Sequence, residues 1–145
     1  MIKYIKGDLF KATQDIIAHG CNCKNGFGSG VAGIMSKQHP KAKFEFHAKY
    51  DSEGWKLGDV QFVESNGKLI ANCATQYNYN PRTGPHADYG AIQICMLKLY
   101  KYCKENNKTI AIPKIGAGLA GGDWNRISEI INDIFEDMDI YVYYL

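Results

Sequence analysis

Long apolar runs and blocks of like charge are both missing from this sequence. No hydrophobic stretch in its 145 residues approaches the roughly 20 residues that a membrane-spanning helix requires. The 17 basic and 15 acidic side chains are interspersed and leave a net charge of +2, so the basic stripe typical of nucleic-acid binding is absent. The sequence therefore predicts neither a membrane nor a polynucleotide as partner.

Cysteine is present in a small, odd number and without the spacing of a disulfide framework. Of the five cysteines, Cys21 and Cys23 lie close to His19, but no second pair of metal-ligand residues accompanies them. We expect small residues lining a tight loop there, and neither a metal nor another cofactor. The opening residues MIKYIKGDLF lack the apolar core of a secretory signal, which together with free thiols predicts a cytoplasmic protein.

Internal repeats, low-complexity segments and linkers are also lacking. Hydrophobic residues make up 46% and charged residues 22% of the chain, which is the balance of an ordinary globular protein. A chain of this length can bury one sizeable core. We expect a single domain over residues 1–145, acting as a monomer.

Short apolar runs and longer helical patterns alternate along the chain. Strands are predicted over residues 2–6, 16–20, 60–64, 69–75, 109–113 and 139–145. Helices are predicted over residues 30–38, 89–106 and 125–137, with a further helical turn or two within residues 41–50. The alternation predicts an α/β fold with helices on both faces of a sheet.

Three local signals refine this outline. Asn66-Gly67 is typical of a two-residue hairpin turn. Phe44 and His47 are expected on one face of the helical turns in residues 41–50. Residues 76–85, QYNYNPRTGP, form the longest irregular stretch and a candidate wall or lid over a pocket.

Two glycine-rich loops each follow a predicted strand and precede a predicted helix. The first glycine loop, residues 19–32, reads HGCNCKNGFGSGVA, and the second glycine loop, residues 116–122, reads GAGLAGG. Glycine permits close approach of the backbone to a ligand, and consecutive N–H groups before a helix suit a phosphate. Such strand-to-helix loops meet at the carboxyl edge of a parallel sheet. We therefore predict a diphosphate or larger ligand, such as a nucleotide derivative, held between the two loops.

The first glycine loop contains a literal dinucleotide-binding pattern in an unsuitable setting. Residues 28–33, GSGVAG, match G-x-G-x-x-G. Residues 21–27 separate this pattern from the preceding strand, and the next strand is predicted only at about Val60. This spacing argues against a nicotinamide-dependent oxidoreductase, and the P-loop pattern G-x-x-x-x-G-K-[ST] is absent.

His19 and Asp123 are the titratable residues that adjoin the two loops. His19 suits acid–base chemistry near neutral pH, and equally a satisfied, partly buried histidine. Asp123 suits a helix N-cap, and equally a base, a nucleophile or a group that orients water beside a bound phosphate. The residue types alone leave these alternatives open.

Four segments together resemble a macrodomain in their order and spacing. They are GDLF at residues 7–10, AHGCNCKNGFGSGVA at 18–32, NCATQ at 72–76 and PKIGAGLAGGDW at 113–124. The likeness covers almost the whole chain and extends to the small macrodomains that dephosphorylate ADP-ribose 1″-phosphate or remove terminal ADP-ribose from proteins. It implies a three-layer α/β/α sandwich with a mixed central sheet, and ADP-ribose derivatives as small-molecule ligands.

The resemblance also implies a set of ligand-binding residues. Asp8 and the Leu9 backbone would hold the adenine amino group, and Asn22 and Phe27 would adjoin the distal ribose. Backbone N–H groups of residues 29–32 and 115–119 would bind the two phosphates, and Tyr143 or Tyr144 would stack on adenine. The full expected set comprises Asp8, Leu9, Asn22, Phe27, Gly28, Ser29, Gly30, Val31, Ala32, Thr75, Gln76, Pro113, Ile115, Gly116, Ala117, Gly118, Leu119 and Tyr144.

The same resemblance implies a reaction. In the phosphatase-like macrodomains a loop histidine and an aspartate after the second glycine loop form the catalytic pair, and His19 and Asp123 occupy those positions. Gln76 stands where the glycohydrolase uses a lysine to form a covalent adduct with the opened ribose. Because an amide cannot form a Schiff base, hydrolysis of ADP-ribose 1″-phosphate to ADP-ribose and phosphate is favoured. A water-based hydrolase of ADP-ribose esters on protein carboxylates and a non-catalytic ADP-ribose-binding module remain as alternatives.

Overall fold

The computed structural model describes residues 1–79 and 86–145. The strands in these ranges are β1 (Ile2–Lys6), β2 (Ile16–Asn22), β3 (Val60–Ser65), β4 (Lys68–Gln76), β5 (Ile110–Ile112) and β6 (Ile140–Tyr144). The helices are α1 (Gly30–Gln38), α2 (Pro40–Ser52), α3 (Tyr89–Asn106) and α4 (Trp124–Ile134), together with a short 3₁₀ helix over Leu9–Lys11. None of the helices in the described ranges has both the length and the apolar character needed to cross a membrane.

The strands form one sheet in the order β1-β6-β5-β2-β4-β3. The pairs β1–β6, β6–β5, β5–β2 and β2–β4 are parallel, whereas β3 runs antiparallel to β4. The sheet is therefore mixed, as predicted. Because the five parallel strands point the same way, the segments that follow them all lie at one edge of the sheet, which we call the carboxyl edge.

The sheet separates two hydrophobic clusters, one on each face. Ile16 and Ile17, adjacent in β2, are both fully buried but belong to different clusters, since successive strand side chains point to opposite faces. Helices α3 and α4 cover the face of Ile16, and α1 and α2 cover the face of Ile17 through Met35, Ala42 and Phe46. The architecture is thus the expected three-layer α/β/α sandwich.

Element bounds agree closely with prediction except around α2 and α4. Helix α2 is a full helix of 13 residues, with a proline at its first position, where the missing N–H costs nothing. Its buried aromatic residue is Phe46, whereas Phe44, which was expected to share a face with His47, is 68% exposed. Helix α4 starts at Trp124 and ends at Ile134, three residues before the predicted end.

The hairpin between β3 and β4 confirms the predicted two-residue turn. Asn66 and Gly67 have φ values of 51° and 78°, and positive φ at both central residues is the geometry of a type I′ turn. The candidate lid over residues 76–85 lies only partly within the structure, because residues 80–85 are outside the described ranges.

The five cysteines are free thiols and all are buried. Burial raises the pKa of Cys23 and that of Cys103 to about 11, so both side chains are protonated thiols at neutral pH. This agrees with the expectation of reduced cysteines.

Candidate functional site

The two glycine loops follow neighbouring strands and touch each other at the carboxyl edge. Strands β2 and β5 are adjacent and parallel, so the loops that leave them lie side by side. A Cβ atom added at Gly30 would lie 3.5 Å from Cδ1 of Leu119, and one added at Gly20 would lie 3.4 Å from Cγ1 of Ile115. The predicted convergence of the two loops is therefore present in the structure.

The first glycine loop ends in unpaired backbone donors. Helix α1 begins at Gly30, whose φ of +59° is in the left-handed region, after Ser29 as N-cap. In the described structure the N–H groups of residues 30–32 have no hydrogen-bond acceptor, as expected for the first turn of a helix. These donors and the positive end of the helix dipole are suited to an anion.

The second glycine loop uses some of its donors internally and leaves others free. The N–H groups of Ile115 and Ala117 donate to the carbonyl oxygens of Pro113 and Lys114, at 2.7 and 3.1 Å. Within the described ranges, acceptors are missing for the N–H groups of Gly116, Gly118 and Leu119. Of the five expected phosphate-binding amides in residues 115–119, three are therefore available to a ligand.

The second glycine loop is also tightly folded on itself. The N–H of Gly122 donates to the carbonyl oxygen of Gly116 at 2.8 Å, and a Cβ at Gly122 would lie 2.5 Å from that same oxygen. Gly116 has a φ of +78°. The Leu119 side chain, in contrast, is 74% exposed at the tip of the loop.

Asp8, Leu9 and the terminal tyrosines lie together where β1 and the adjacent β6 end. Asp8 is exposed and caps the short 3₁₀ helix, its Oδ1 accepting from the N–H of Phe10 at 2.9 Å. Tyr143 is half-buried, and its hydroxyl donates to Oε1 of Gln14 at 2.7 Å. Tyr144 exposes more of its ring, which lies 5.7 Å from the Lys114 ammonium. The Tyr144 ring also meets the Tyr4 ring edge-on, with centroids 6.5 Å apart, and Tyr144 is the more exposed of the two tyrosines.

The Asn22 side chain forms hydrogen bonds to the backbone of the first glycine loop, within which it lies. Its Oδ1 accepts from the N–H groups of Lys24 and Gly26 at 2.9 and 3.0 Å, and its Nδ2 donates to the Gly26 carbonyl at 2.8 Å. One Nδ2 hydrogen is left over for a ligand.

Phe27 was expected to flank the distal ribose, but its side chain belongs to the core. It is 3% exposed, and its ring centroid lies 5.4 Å from that of His19 and 5.0 Å from that of Phe46. The ring fills the space between β2 and α2, because apolar burial stabilises it there more than contact with solvent would.

His19 lies inside β2, three residues before the strand ends. The strand continues to Asn22, two residues past its predicted end, and the His19 ring has no exposed surface. Its Nε2 donates to Oδ1 of Asn72 at 2.6 Å, and Asn72 in turn donates to the Ala42 carbonyl of α2. Burial lowers the pKa of His19 to about 4, although the hydrogen bond to Asn72 acts in the opposite direction. The imidazole is therefore neutral at physiological pH.

Asp123 is at the carboxyl edge and caps α4. Its Oδ1 accepts from the N–H of Asn125 at 3.0 Å, and its own N–H donates to the hydroxyl of Tyr89 at 3.0 Å. In the part of the chain that the structure describes, no hydrogen bond reaches Oδ2. The structure does not bring His19 and Asp123 together as a pair, since one is buried beneath α2 and the other is exposed at the N-terminus of α4.

Thr75 and Gln76 end β4, beside β2. Thr75 is buried, and its Oγ1 has no hydrogen-bond partner among the described residues. Gln76 is half-buried, and its Nε2 donates to the Asn78 carbonyl at 2.7 Å.

Several residues near the site were not anticipated from the sequence. The Tyr79 ring lies against Gly26, where an added Cβ would be 2.9 Å from two ring carbons. The Arg126 guanidinium lies 3.9 Å from the centroid of the Tyr89 ring and brings a positive charge to the end of α4 that carries Asp123. No pattern in the sequence marks these contacts, because they join residues from different loops. No group of three or more histidine, cysteine, aspartate or glutamate side chains within the described ranges is arranged to hold a metal ion.

Comparison with known proteins gives consistent matches over nearly the whole chain. The Macro domain family model matches residues 18–131. Relatives include an uncharacterized 17.5 kDa protein of Enterobacteria phage T4 (34% identity over 98% of this chain and 95% of the relative) and the ADP-ribose 1″-phosphate phosphatase of Candida albicans (29% over 99% of each). A third is the ADP-ribose glycohydrolase OARD1 of Homo sapiens (28% over 97% and 88%).

Solved structures agree in fold. A protein of unknown function from Bacteroides thetaiotaomicron superposes with a TM-score of 0.90 at 30% identity, covering 100% of this chain and 98% of that one. A macrodomain protein from Streptomyces coelicolor superposes with a TM-score of 0.85 at 27% identity, covering 100% and 99%.

Proposed function

Because the chain belongs to the macrodomain family, we propose that it binds ADP-ribose derivatives at the carboxyl edge and hydrolyses ADP-ribose 1″-phosphate to ADP-ribose and phosphate. The observation that carries this proposal is the contact between the two glycine loops, with unpaired N–H donors on both. The name of the Candida albicans relative, a phosphatase of ADP-ribose 1″-phosphate, supports the choice of substrate.

The proposed ligand would lie across the carboxyl edge. Its diphosphate would accept from the free N–H groups of residues 30–32 and from those of Gly116, Gly118 and Leu119. Its adenine would lie near Asp8 and Tyr144, where β1 and β6 end together. This places the distal ribose toward β4 and its 1″-phosphate near the start of α4.

Asp123 is the residue that we propose for catalysis. Its exposed carboxylate would accept a proton from water as the water oxygen attacks phosphorus, and the bond from phosphorus to the ribosyl oxygen would break. That oxygen leaves as the 1″-hydroxyl of ADP-ribose after taking a proton from solvent water, and Asp123 returns its own proton to solvent. His19 cannot supply this proton directly, because its ring is buried and neutral. The positively charged guanidinium of Arg126 would stabilise the negative charge on the phosphate as it leaves.

The test is turnover of ADP-ribose 1″-phosphate by an Asp123→Asn variant, followed as released phosphate without added metal. Asparagine retains an oxygen for the Asn125 N–H, so the cap of α4 is kept while the base is lost. We expect phosphate release to fall at least about 100-fold, the usual contribution of a general base, with ADP-ribose binding unchanged. Asp137→Asn removes the same charge beyond the other end of α4 and is the matched control. Equal turnover in the two variants would rule out Asp123 as the catalytic base.

Assays on the same purified protein distinguish the two alternative functions. Release of ADP-ribose from an ADP-ribosylated glutamate peptide, without phosphate release from ADP-ribose 1″-phosphate, would assign the site to protein esters. The name of the human relative, ADP-ribose glycohydrolase, supports release of ADP-ribose as an alternative reaction. Tight ADP-ribose binding without turnover of either substrate would identify a binding module.

A further inference from the structure

His47 on α2 contacts the first glycine loop at Asn25. Its Nδ1 lies 2.5 Å from Oδ1 of Asn25. Because the amide oxygen can only accept, Nδ1 carries the hydrogen. The imidazole is held edge-on against the rings of Phe46 and Phe27, with centroids 5.3 and 6.4 Å away, so its direction is set by the core.

Asn25 is the point at which the loop needs support. Its φ of 63° lies in the left-handed region, which costs free energy for any residue other than glycine. The side chain of Asn22 ties down the residues on either side, through the N–H groups of Lys24 and Gly26, but not Asn25 itself. Within residues 1–79 and 86–145, the hydrogen bond from His47 is the contact from outside the loop that reaches the Asn25 side chain.

Other residues of the same loop are held by the segment after β4. The N–H of Cys23 donates to the Tyr77 carbonyl at 3.0 Å, the Lys24 ammonium lies 4.6 Å from the Tyr77 ring centroid, and the Tyr79 ring covers Gly26. The loop is thus held by both α2 and the segment after β4. Four residues after Gly26 it delivers Gly30 and the free N–H groups of α1.

We infer that His47 is a positioning residue that holds the first glycine loop in the conformation that accepts the diphosphate. It acts through Asn25 and does not touch the ligand. The inference rests on the proposed function in one respect, since the anion that the loop receives is taken to be that of ADP-ribose.

Three substitutions at one position test this role. Asparagine places an amide N–H where the Nδ1–H of histidine lies, glutamine places one nearer Nε2, and alanine places none. ADP-ribose affinity would be measured by calorimetry, together with kcat on ADP-ribose 1″-phosphate and the unfolding temperature. Phe44→Ala, on the exposed face of the same helix, is the matched control.

We expect His47→Ala to weaken ADP-ribose binding by up to about tenfold, the upper end of the loss typical of one hydrogen bond, with kcat unchanged because Asp123 is intact. His47→Asn should restore most of the affinity and His47→Gln should not. Wild-type affinity in His47→Ala would overturn the inference. So would equal losses in the alanine and asparagine variants, since these would indicate packing alone.

A second measurement keeps this result separate from the proposed function. Hydrogen exchange of the amides in residues 23–30 reports the loop in the protein without ligand. Faster exchange in His47→Ala, restored in His47→Asn, supports the positioning role even if wild-type protein fails to bind ADP-ribose, an outcome that would refute only the proposed function. Unchanged exchange in His47→Ala refutes the positioning role.

Discussion

His19 is a neutral side chain at physiological pH, because the protein interior around it disfavours the charged imidazolium. Complete burial lowers its pKa to about 4, against an ordinary value of 6.5. As pH falls below 6.5, the His19 side chain of the unfolded chain therefore binds a proton that it does not bind in the folded protein until the pH approaches 4. The contribution of His19 to the unfolding free energy is therefore complete above pH 6.5 and declines as pH falls toward 4.

We predict that replacing His19 removes part of the acid sensitivity of the fold. Between pH 7 and pH 4 the wild type should lose about 3 kcal/mol more of its unfolding free energy than His19→Gln, which cannot titrate but can still donate to Asn72. Urea unfolding at both pH values measures the difference. Parallel losses in the two proteins would contradict the assigned burial.

The same variant separates a structural from a catalytic histidine. His19→Gln should retain turnover of ADP-ribose 1″-phosphate at pH 7, because the ring is enclosed by Phe27 and Asn72. Loss of turnover in a folded His19→Gln protein would show that His19 does take part in the reaction.

The sequence assigned His19 and Phe27 to the first glycine loop, but it did not predict whether their side chains are exposed. Both are buried because Phe27 packs over His19 and against Phe46 of α2. These contacts join β2, the turn that follows it and α2, and no local pattern in the sequence encodes them.

In the second glycine loop, the backbone of Gly122 is in direct contact with the backbone of Gly116. The space of a Cβ at Gly122 is already filled by the Gly116 carbonyl oxygen at 2.5 Å and by Cβ of Ala87 at 2.9 Å. At Gly118, two residues after Gly116, nothing lies within 4 Å of the added carbon. The two glycines of one loop therefore serve different purposes.

We predict opposite outcomes for alanine at these two positions. Gly122→Ala should lower the unfolding free energy by about 1–3 kcal/mol, because backbone must move to admit the methyl group. Gly118→Ala should leave stability within about 1 kcal/mol of wild type or raise it slightly. Thermal or urea unfolding of both variants provides the measurement. A Gly122→Ala protein as stable as Gly118→Ala would show that the loop relaxes freely.

Helix α3 was predicted with its bounds, and the weakly patterned α2 was not. Helix α3 covers the predicted residues 89–106, is capped by Asp88 and buries an apolar stripe that includes Ile92, Met96 and Leu99. Helix α2 buries mainly Ala42 and Phe46 and presents lysines and Phe44 to solvent, so its apolar spacing is too sparse to indicate its full length. Packing of α2 on β3 and β4, rather than its own pattern, stabilises it.

At the scale of the whole molecule, the parallel order of the strands creates the site. Asp8, the two glycine loops and the end of β4 come from distant parts of the chain and meet because five strands point to one edge. The alternation of strands and helices and the resemblance to macrodomains predicted this layout. The contact of His47 with Asn25 and that of Tyr79 with Gly26 could not be predicted, since both depend on how loops fold against each other.

We predict that ADP-ribose stabilises the whole fold. A ligand at 100 times its dissociation constant adds about 2.7 kcal/mol to the unfolding free energy, which corresponds to a rise of roughly 5–10 °C in unfolding temperature for a domain of this size. AMP lacks the second phosphate and the distal ribose and should raise it much less. Differential scanning calorimetry with each ligand tests this. Equal shifts would contradict a site that spans both glycine loops.

The pairing of β1 with β6 bears on the order in which the protein acquires its site. It joins Ile2 to Ile140, so the closure of a very long loop must precede any gain from that contact. The β3–β4 hairpin and the neighbouring helices involve far shorter closures. In chain order β2 and β5 are both complete before β6, so the two glycine loops can meet before β1 finds its partner. We expect the part of the sheet built on β2 and β5 to form earlier in folding than the part built on β1 and β6, and the carboxyl edge to assemble from the middle of the sheet outward.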